Sequence, residues 1–203
     1  FENRYVVDSD DAQIKRSEEL QSKLNQVMIR NRREETDIDF TNREVHTNVF
    51  EPSAAEQKLY NAVTNYVQGN YSSAGAKHLV LFTLQKEVTS SPYAVKYSID
   101  NWMNDNNKVL SSSEKRELKN IRNIINRIST TTKQQRLLDV LETIYQQVGS
   151  AQAVVFTQFR STQQAIAETV RELDVPTHVV NGDLSSQGKE RMINKFEEEG
   201  GVL

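Results

Sequence analysis

Cysteine is absent from all 203 residues, so neither a disulfide nor a thiolate zinc site can form. A reducing compartment is compatible with that composition. Glycine and proline are scarce, with seven and three residues. A complete nucleotide-binding α/β domain ordinarily uses more glycine in its turns and phosphate loops, so most of the chain is expected to be helix. The longest apolar runs, residues 79–82 and 153–156, fall far short of the roughly 18 residues a membrane span needs. Phe1-Glu2-Asn3-Arg4 does not open a secretory signal. Positive charge is not in excess either. The formal net charge of −3 supplies no global field for nucleic acid, so any basic surface must be local. A cytoplasmic protein without a membrane partner is the expectation.

What is present is amphipathic helix, with polar surface to spare. Ile14, Leu20, Leu24, Val27 and Met28 recur near helical spacing over residues 11–29. Residues 30–35 form a charged exit. Residues 44–50 alternate as an exposed strand would. Ser53 with Glu56 makes a capping box that opens a helix through Val67. A Gly/Ser/Asn loop over 68–75 separates it from an apolar helix over 78–88. Ser90-Ser91-Pro92 ends that helix, and the proline begins the next, with Val95, Ile99, Trp102 and Met103 as its inward stripe. Residues 104–107 break it. A second capping box, Ser111 with Glu114, starts a helix to about Ile128. Ser129-Thr130-Thr131-Thr132 is the best interdomain joint in the sequence. A helix over 133–148 follows, with Gly149 placed to end it.

The last fifty-odd residues change character. β-branched runs at 153–159, 177–183 and 200–203 alternate with amphipathic helices across short joints, the pattern of a parallel α/β sheet. Two strands and the stump of a third do not make a stable lobe, so the 203 residues are expected to be a piece of a larger machine.

Few of the chemical signals are sharp. Gly182-Asp183-Leu184-Ser185-Ser186-Gln187-Gly188-Lys189-Glu190 sits between strand and helix, yet it departs from a phosphate loop. Five residues separate the glycines where four are needed, and Glu190 stands where Ser or Thr would hold magnesium. A milder reading lets the glycine turn and Lys189, Arg191 and Lys195 meet a nucleic-acid phosphate. The bland alternative is a simple turn with solvated cations. Residues 114–136 hold seven basic and two acidic side chains, and Lys115, Lys119 and Arg122 share a face opposite Leu118, Ile121, Ile125 and Ile128. That pattern fits a phosphate-tracking stripe, although a solvated bundle face is the commoner cause. His46, His78 and His178 show no ligand spacing. No catalytic or metal site is assigned.

Val154-Val155-Phe156-Thr157-Gln158-Phe159, then Gly182-Asp183-Leu184-Ser185-Ser186, Lys189-Glu190-Arg191 and Lys195-Phe196, resemble the Swi/Snf-type ATPases of the helicase superfamily. The first stretch is similar to helicase motif IV at the start of the second RecA-like lobe, and the rest to the strand, turn and helix before motif V. Upstream, Met28-Ile29-Arg30-Asn31-Arg32-Arg33 is similar to the basic segment leaving the first lobe. It reads Arg30-Asn31-Arg32 rather than paired arginines, so no role is carried over. Thr47 through Tyr60, Leu84 through Pro92 and Thr132 through Leu141 resemble the intervening elements in order.

The resemblance implies a mixed α and α/β fold in three parts. These are the tail of the first helicase lobe and linker (1–50), a helical insertion bundle (51–129) and a truncated second RecA-like lobe of the P-loop NTPase type (130–203). The parent is implied to be an ATP-dependent translocase on double-stranded DNA, using ATP and Mg. Its phosphate loop and magnesium-binding acids are absent from these residues, so the fragment alone is expected not to hydrolyse ATP. Thr157, Gln158, Phe159 and Gly182 are the implied contacts to the DNA backbone, with Lys189 and Arg191 secondary. The missing lobe segments of the same polypeptide are further partners. The alternative from another class is a non-catalytic helical interaction module with a small α/β appendage.

Overall fold

The computed structural model describes residues 17–27, 44–71, 78–105, 110–148 and 151–203. The chain divides into two units, Phe1–Asn48 and Val49–Leu203. In the first, helix α1 spans Ser17–Val27, the described portion of the helix expected over 11–29. Glu18 and Glu19 occupy its first turn, where the helix dipole favours acids. Lys23 pairs with Glu19 one turn back at 3.5 Å. The charged exit at 30–35, the basic segment from Met28 to Arg33 and Gly149 lie outside the described residues. Residues 44–50 have no ladder partner among the described residues, against the expectation of a strand. Val45 and Val49 are both exposed. An alternation that buries neither side gains nothing from pairing.

In the second unit, α2 (Ala54–Tyr71), α3 (His78–Ser90), α4 (Pro92–Asn104) and α5 (Ser112–Ile125) pack around one apolar core. Leu59 and Val63 of α2 meet Leu84, Val95, Ile99, Leu118 and Ile121, all essentially without solvent contact. Trp102 and Met103 pack at the margin of that core. The start signals act as sequence logic demands. Ser53 and Glu56 exchange bonds of 3.3 and 2.8 Å, and Ser111 with Glu114 closes a full capping box. Ser91 caps α4 ahead of Pro92. Helix α2 runs through Gly69 to Tyr71, beyond the expected end at Val67, and the Asn70 amide reaches back to the Tyr66 carbonyl at 2.8 Å. Helix α5 stops at Ile125, before the expected Ile128. There i→i−3 bonds from Arg127 to Ile124 and from Ile128 to Ile125 tighten the backbone. Burial, with Glu114 and Glu117 nearby, pushes the Tyr66 phenol up to about 12.

Helix α6 (Thr132–Gln147) leads into the α/β segment: β1 (Gln152–Ala153), α7 (Arg160–Val170), a 3₁₀ turn over Arg171–Leu173, α8 (Ser186–Glu199) and β2 (Gly201–Val202). β1 and β2 pair in parallel, Gln152 with Gly201 and Ala153 with Val202. On its other side Val202 bridges Thr177 in parallel. The final segment is therefore the middle member, with bonds from Val202 to the Pro176 carbonyl, from His178 to that of Val202 and from Leu203 to that of Ala153 at 2.8, 2.8 and 3.0 Å. The expected strands at 153–159 and 177–183 reduce to two residues and a bridge. Only one face of the run that follows β1 is covered: Val155 packs with Leu141, Val170 and Val202, while Val154 and Phe156 are exposed. A parallel strand gains length from burial on both faces. No helix of the described residues is long and apolar enough to cross a membrane.

Gly201 has φ +88°, and a Cβ there would stand 2.1 Å from the Pro176 carbonyl oxygen. Gly201→Ala therefore meets both a left-handed backbone and a clash that no rotamer relieves. It is expected to cost more than about 2 kcal/mol, read as a lowered unfolding midpoint. An unchanged midpoint would exclude the central position of this segment.

Candidate nucleic-acid interface

Two short polar joints hold α7 against the helices. The Ser91 hydroxyl lies 2.6 Å from that of Thr162, with the Ser90 hydroxyl at 3.1 Å. At the far end of α7, the Gln134 amide donates to the Thr169 hydroxyl at 2.9 Å. Ser91, Thr162, Gln134 and Thr169 are all buried, so each bond satisfies groups that would otherwise be costly. The segment between α5 and α6 is held equally firmly. Thr131 and Gln134 form a capping box. The Thr132 hydroxyl and amide donate to the Glu56 carboxylate at 2.6 and 3.1 Å. Tyr93 donates to the Ser129 carbonyl at 3.1 Å. At Glu56 burial pushes the carboxyl up, but the bonds from Thr132 and Ser53 outweigh it and hold it below its ordinary value.

A cleft of about 550 Å³ opens along these joints. Its walls include Ser90, Ser91, Thr131, Lys86 and Lys133 on one side, and Phe156, Thr157, Gln158, Phe159 and Thr162 on the other. None of its lining residues is acidic. Lys133 donates to the Thr89 carbonyl at 2.7 Å, and the Lys86 ammonium sits 4.7 Å over the Phe82 ring. Neither lysine is neutralised by a carboxylate in these contacts. Phe156 is 91% exposed.

The three residues 157–159 lead directly into α7, which begins at Arg160. Helices α2, α4, α5, α6 and α8 each open on a Ser or Thr whose hydroxyl accepts a first-turn amide. Helix α7 opens on Phe159, with no side-chain cap. Its first amides have no acceptor within the helix and lie at the positive end of the helix dipole, an arrangement suited to an anion. Gln158, Phe159 and Arg160 also border a second cleft of about 700 Å³, shared with Glu87, Gln163, Arg171, Asn181 and Asp183. Here Arg160 pairs with Asp183, Gln163 donates to the Val180 carbonyl at 2.9 Å, and Asn181 donates to Gln163 at 3.1 Å. These bonds tie the turn at 181–184 to α7.

Thr157, Gln158 and Phe159 are thus brought together with Lys86, Lys133 and Arg160. Gly182 is not at a helix N-terminus as expected, because Ser185 is the cap of α8 and accepts from Gly188 at 3.1 Å. Gly182 lies instead beside Arg160, whose guanidinium would be 3.2 Å from an added Cβ. Lys189 and Arg191, both on α8, line neither cleft. Sequence reasoning passed over Arg160, although it follows Phe159 directly. It also passed over Lys86 and Lys133, which only folding brings to the same wall. His178 is a buried core residue, its ring 3.2 Å from the Gly200 carbonyl oxygen. Among the described residues no group of three or more metal-ligating side chains occurs.

The class of protein that the chain is similar to is the helicase-type, ATP-dependent proteins. Over 146 residues, 72% of the chain, it is 27% identical to a Bacillus subtilis (strain 168) protein named uncharacterized ATP-dependent helicase YqhH. The chain spans 25% of that relative's length. The crystal structure of the Pyrococcus furiosus Hef helicase domain aligns with 73% of this chain and 40% of its own, at 12% identity and a TM-score of 0.46. No protein-family profile matches the chain.

Glu87 lies at the border of the second cleft, 5% exposed. One carboxyl oxygen accepts from Ser98 at 2.7 Å and the other has no partner. Burial raises this carboxyl above its ordinary value of 4.5, against the Ser98 bond that lowers it. A raised acid binds its proton more tightly when folded, so its contribution is full at low pH and is lost as pH rises through the folded value. Glu87→Gln keeps the shape and removes the titration. Its unfolding midpoint relative to the unsubstituted protein is expected to climb as pH increases from 4.5 upward. Parallel midpoint curves for the two proteins would contradict the burial of a charged group here.

Proposed function

We propose that the chain is part of an ATP-dependent translocase of the Swi/Snf type acting on double-stranded DNA. The observation that carries this reading is the uncapped start of α7, set beside an acid-free cleft lined by Lys86 and Lys133. The similarity to a protein named as an ATP-dependent helicase supports it, as does the ordered resemblance along the sequence. In this reading residues 1–50 are the tail of the first lobe and linker, 51–129 the insertion bundle, and 130–203 part of the second RecA-like lobe.

A DNA phosphate occupies the position that a capping hydroxyl fills in α2, α4, α5, α6 and α8. It accepts hydrogen bonds from the first amides of α7, with Thr157, Gln158 and Phe159 framing it and Arg160, held by Asp183, at the start of the helix. Gly182 leaves room for the Arg160 guanidinium, so its role is to permit that position. Lys189 and Arg191 contribute at most from α8. Contacts of this kind read backbone and carry no base sequence. ATP and Mg act in the parent polypeptide at parts outside these residues, and no residue here is given a role in phosphoryl transfer. A second reading, a partner-binding helical module, is favoured by the outward Leu79 and Phe82 on α3, 74% and 56% exposed.

The test is ATP hydrolysis by the full-length polypeptide with and without duplex DNA. Stimulation by duplex is expected, with Gln158→Ala/Arg160→Gln raising the half-saturating DNA concentration about tenfold, as for loss of one contact to a charged group of about 1.5 kcal/mol. Hydrolysis indifferent to duplex, or no hydrolysis, would favour the interaction module.

A further inference from the structure

We infer that the outer face of α5 is a second nucleic-acid surface, one that tracks a phosphate backbone. The inference rests on the nucleic-acid reading above and extends it to a part of the bundle away from the α7 cleft.

The exposed residues of α5 and its exit turn are Ser112, Ser113, Lys115, Arg116, Lys119, Asn120, Arg122, Asn123, Asn126 and Arg127, so the surface holds only basic side chains, serine and asparagine. Its two acids are turned to other tasks. Glu114 closes the capping box with Ser111, and Glu117 accepts from Ser113 at 3.0 Å. Three other helices, α1, α4 and α6, answer a cation with an acid a turn away: Glu19 with Lys23, Asp100 with Lys96 and Asp139 with Arg136. Helix α5 does not. Among the described residues Lys115, Arg116 and Lys119 have no ion-pair partner. Arg122 lies 3.0 Å from Asp100, which also holds Lys96 at 2.6 Å. One carboxylate between two cations leaves net positive charge at that end as well.

This composition decides the chemistry of the occupant. A protein interface needs apolar or aromatic anchors at its centre, and this face offers none. Lys, Arg, Ser and Asn are the side chains that meet phosphate and sugar. Lys115, Lys119 and Arg122 lie within a narrow sector of the helix, and at about 1.5 Å rise per residue they span about 10 Å. Duplex DNA carries roughly six charges over that length. The opposite side of α5 is fixed in the core by Leu118, Ile121 and Ile125, so the cations are displayed on a rigid support. In a chain of net charge −3 this is a local concentration of positive charge.

The test compares two triple variants of the full-length polypeptide. One is Lys115→Gln/Arg116→Gln/Lys119→Gln. The other, Lys23→Gln/Lys58→Gln/Arg136→Gln, removes the same charge elsewhere. Binding to fluorescent duplex and to single-stranded DNA is followed by anisotropy across a salt series, and folding is checked by circular dichroism. The stripe variant is expected to lower the slope of log affinity against log salt by about 2 to 3 on duplex, at about 0.9 per phosphate contact, while the control changes it by less than about 1. Equal losses in the two variants would assign the effect to net charge and overturn the stripe. An unchanged slope in the stripe variant, with duplex still bound by the unsubstituted polypeptide, overturns the stripe alone. A loss confined to single strands reassigns the surface and overturns the duplex proposal. If the unsubstituted polypeptide binds neither DNA, the functional reading fails and the stripe fails with it.

Discussion

The pairing of Ser91 with Thr162 at 2.6 Å, seconded by Gln134 with Thr169 at 2.9 Å, is the constraint on which the placement of α7 depends. All four side chains are buried. A buried hydroxyl or amide without a partner costs about 1–3 kcal/mol, so α7 cannot slide along the bundle without leaving several of them unsatisfied. Apolar contact alone is non-directional and would tolerate such sliding. The polar joints therefore fix a position where the hydrophobic core fixes only proximity. The uncapped end of α7, the cleft beside it and the turn at 181–184 all inherit their place from these bonds.

The same economy of polar groups shapes the charge distribution. Glu56 is drawn below its ordinary range by Thr132 and Ser53, so it remains charged while it links the start of α2 to the start of α6. Glu87 is driven the other way by burial with a single partner. In α1, α4 and α6 an acid answers a cation within a turn, yet the α7 cleft has lysines with no acid in its lining, and the exposed face of α5 carries cations without acids. Both exceptions favour an anion. A polyanion of closely spaced phosphates, as the proposed function requires, suits the two of them.

Much of this arrangement is legible in the sequence where the signal is local. Ser53 with Glu56, Ser91 before Pro92 and Ser111 with Glu114 announce helix starts because caps depend on residues three apart. The inward stripe of α4 and that of α5 follow from 3.6-residue periodicity. The box of Thr131 with Gln134 was equally readable, but it is hidden within a Ser/Thr tract that also reads as linker. Strand lengths were not readable. Val154 and Phe156 belong to a β-branched run, and whether such a run pairs depends on a neighbour the local sequence does not name. The site shows the same division. Residues 157–159 could be picked out from their place between strand and helix. Lys86 and Lys133 join them only through tertiary packing, and Gly182 proved to be spaced from the helix it was expected to begin.

A photo-reactive side chain placed at Gln158 of the full-length polypeptide tests the central claim most directly. Gln158 is exposed and borders both clefts. On irradiation of the complex with duplex DNA, covalent transfer to a DNA strand is the expected result. Transfer to protein alone, while the polypeptide stays bound to the duplex, would contradict the assignment of the α7 terminus to the DNA backbone.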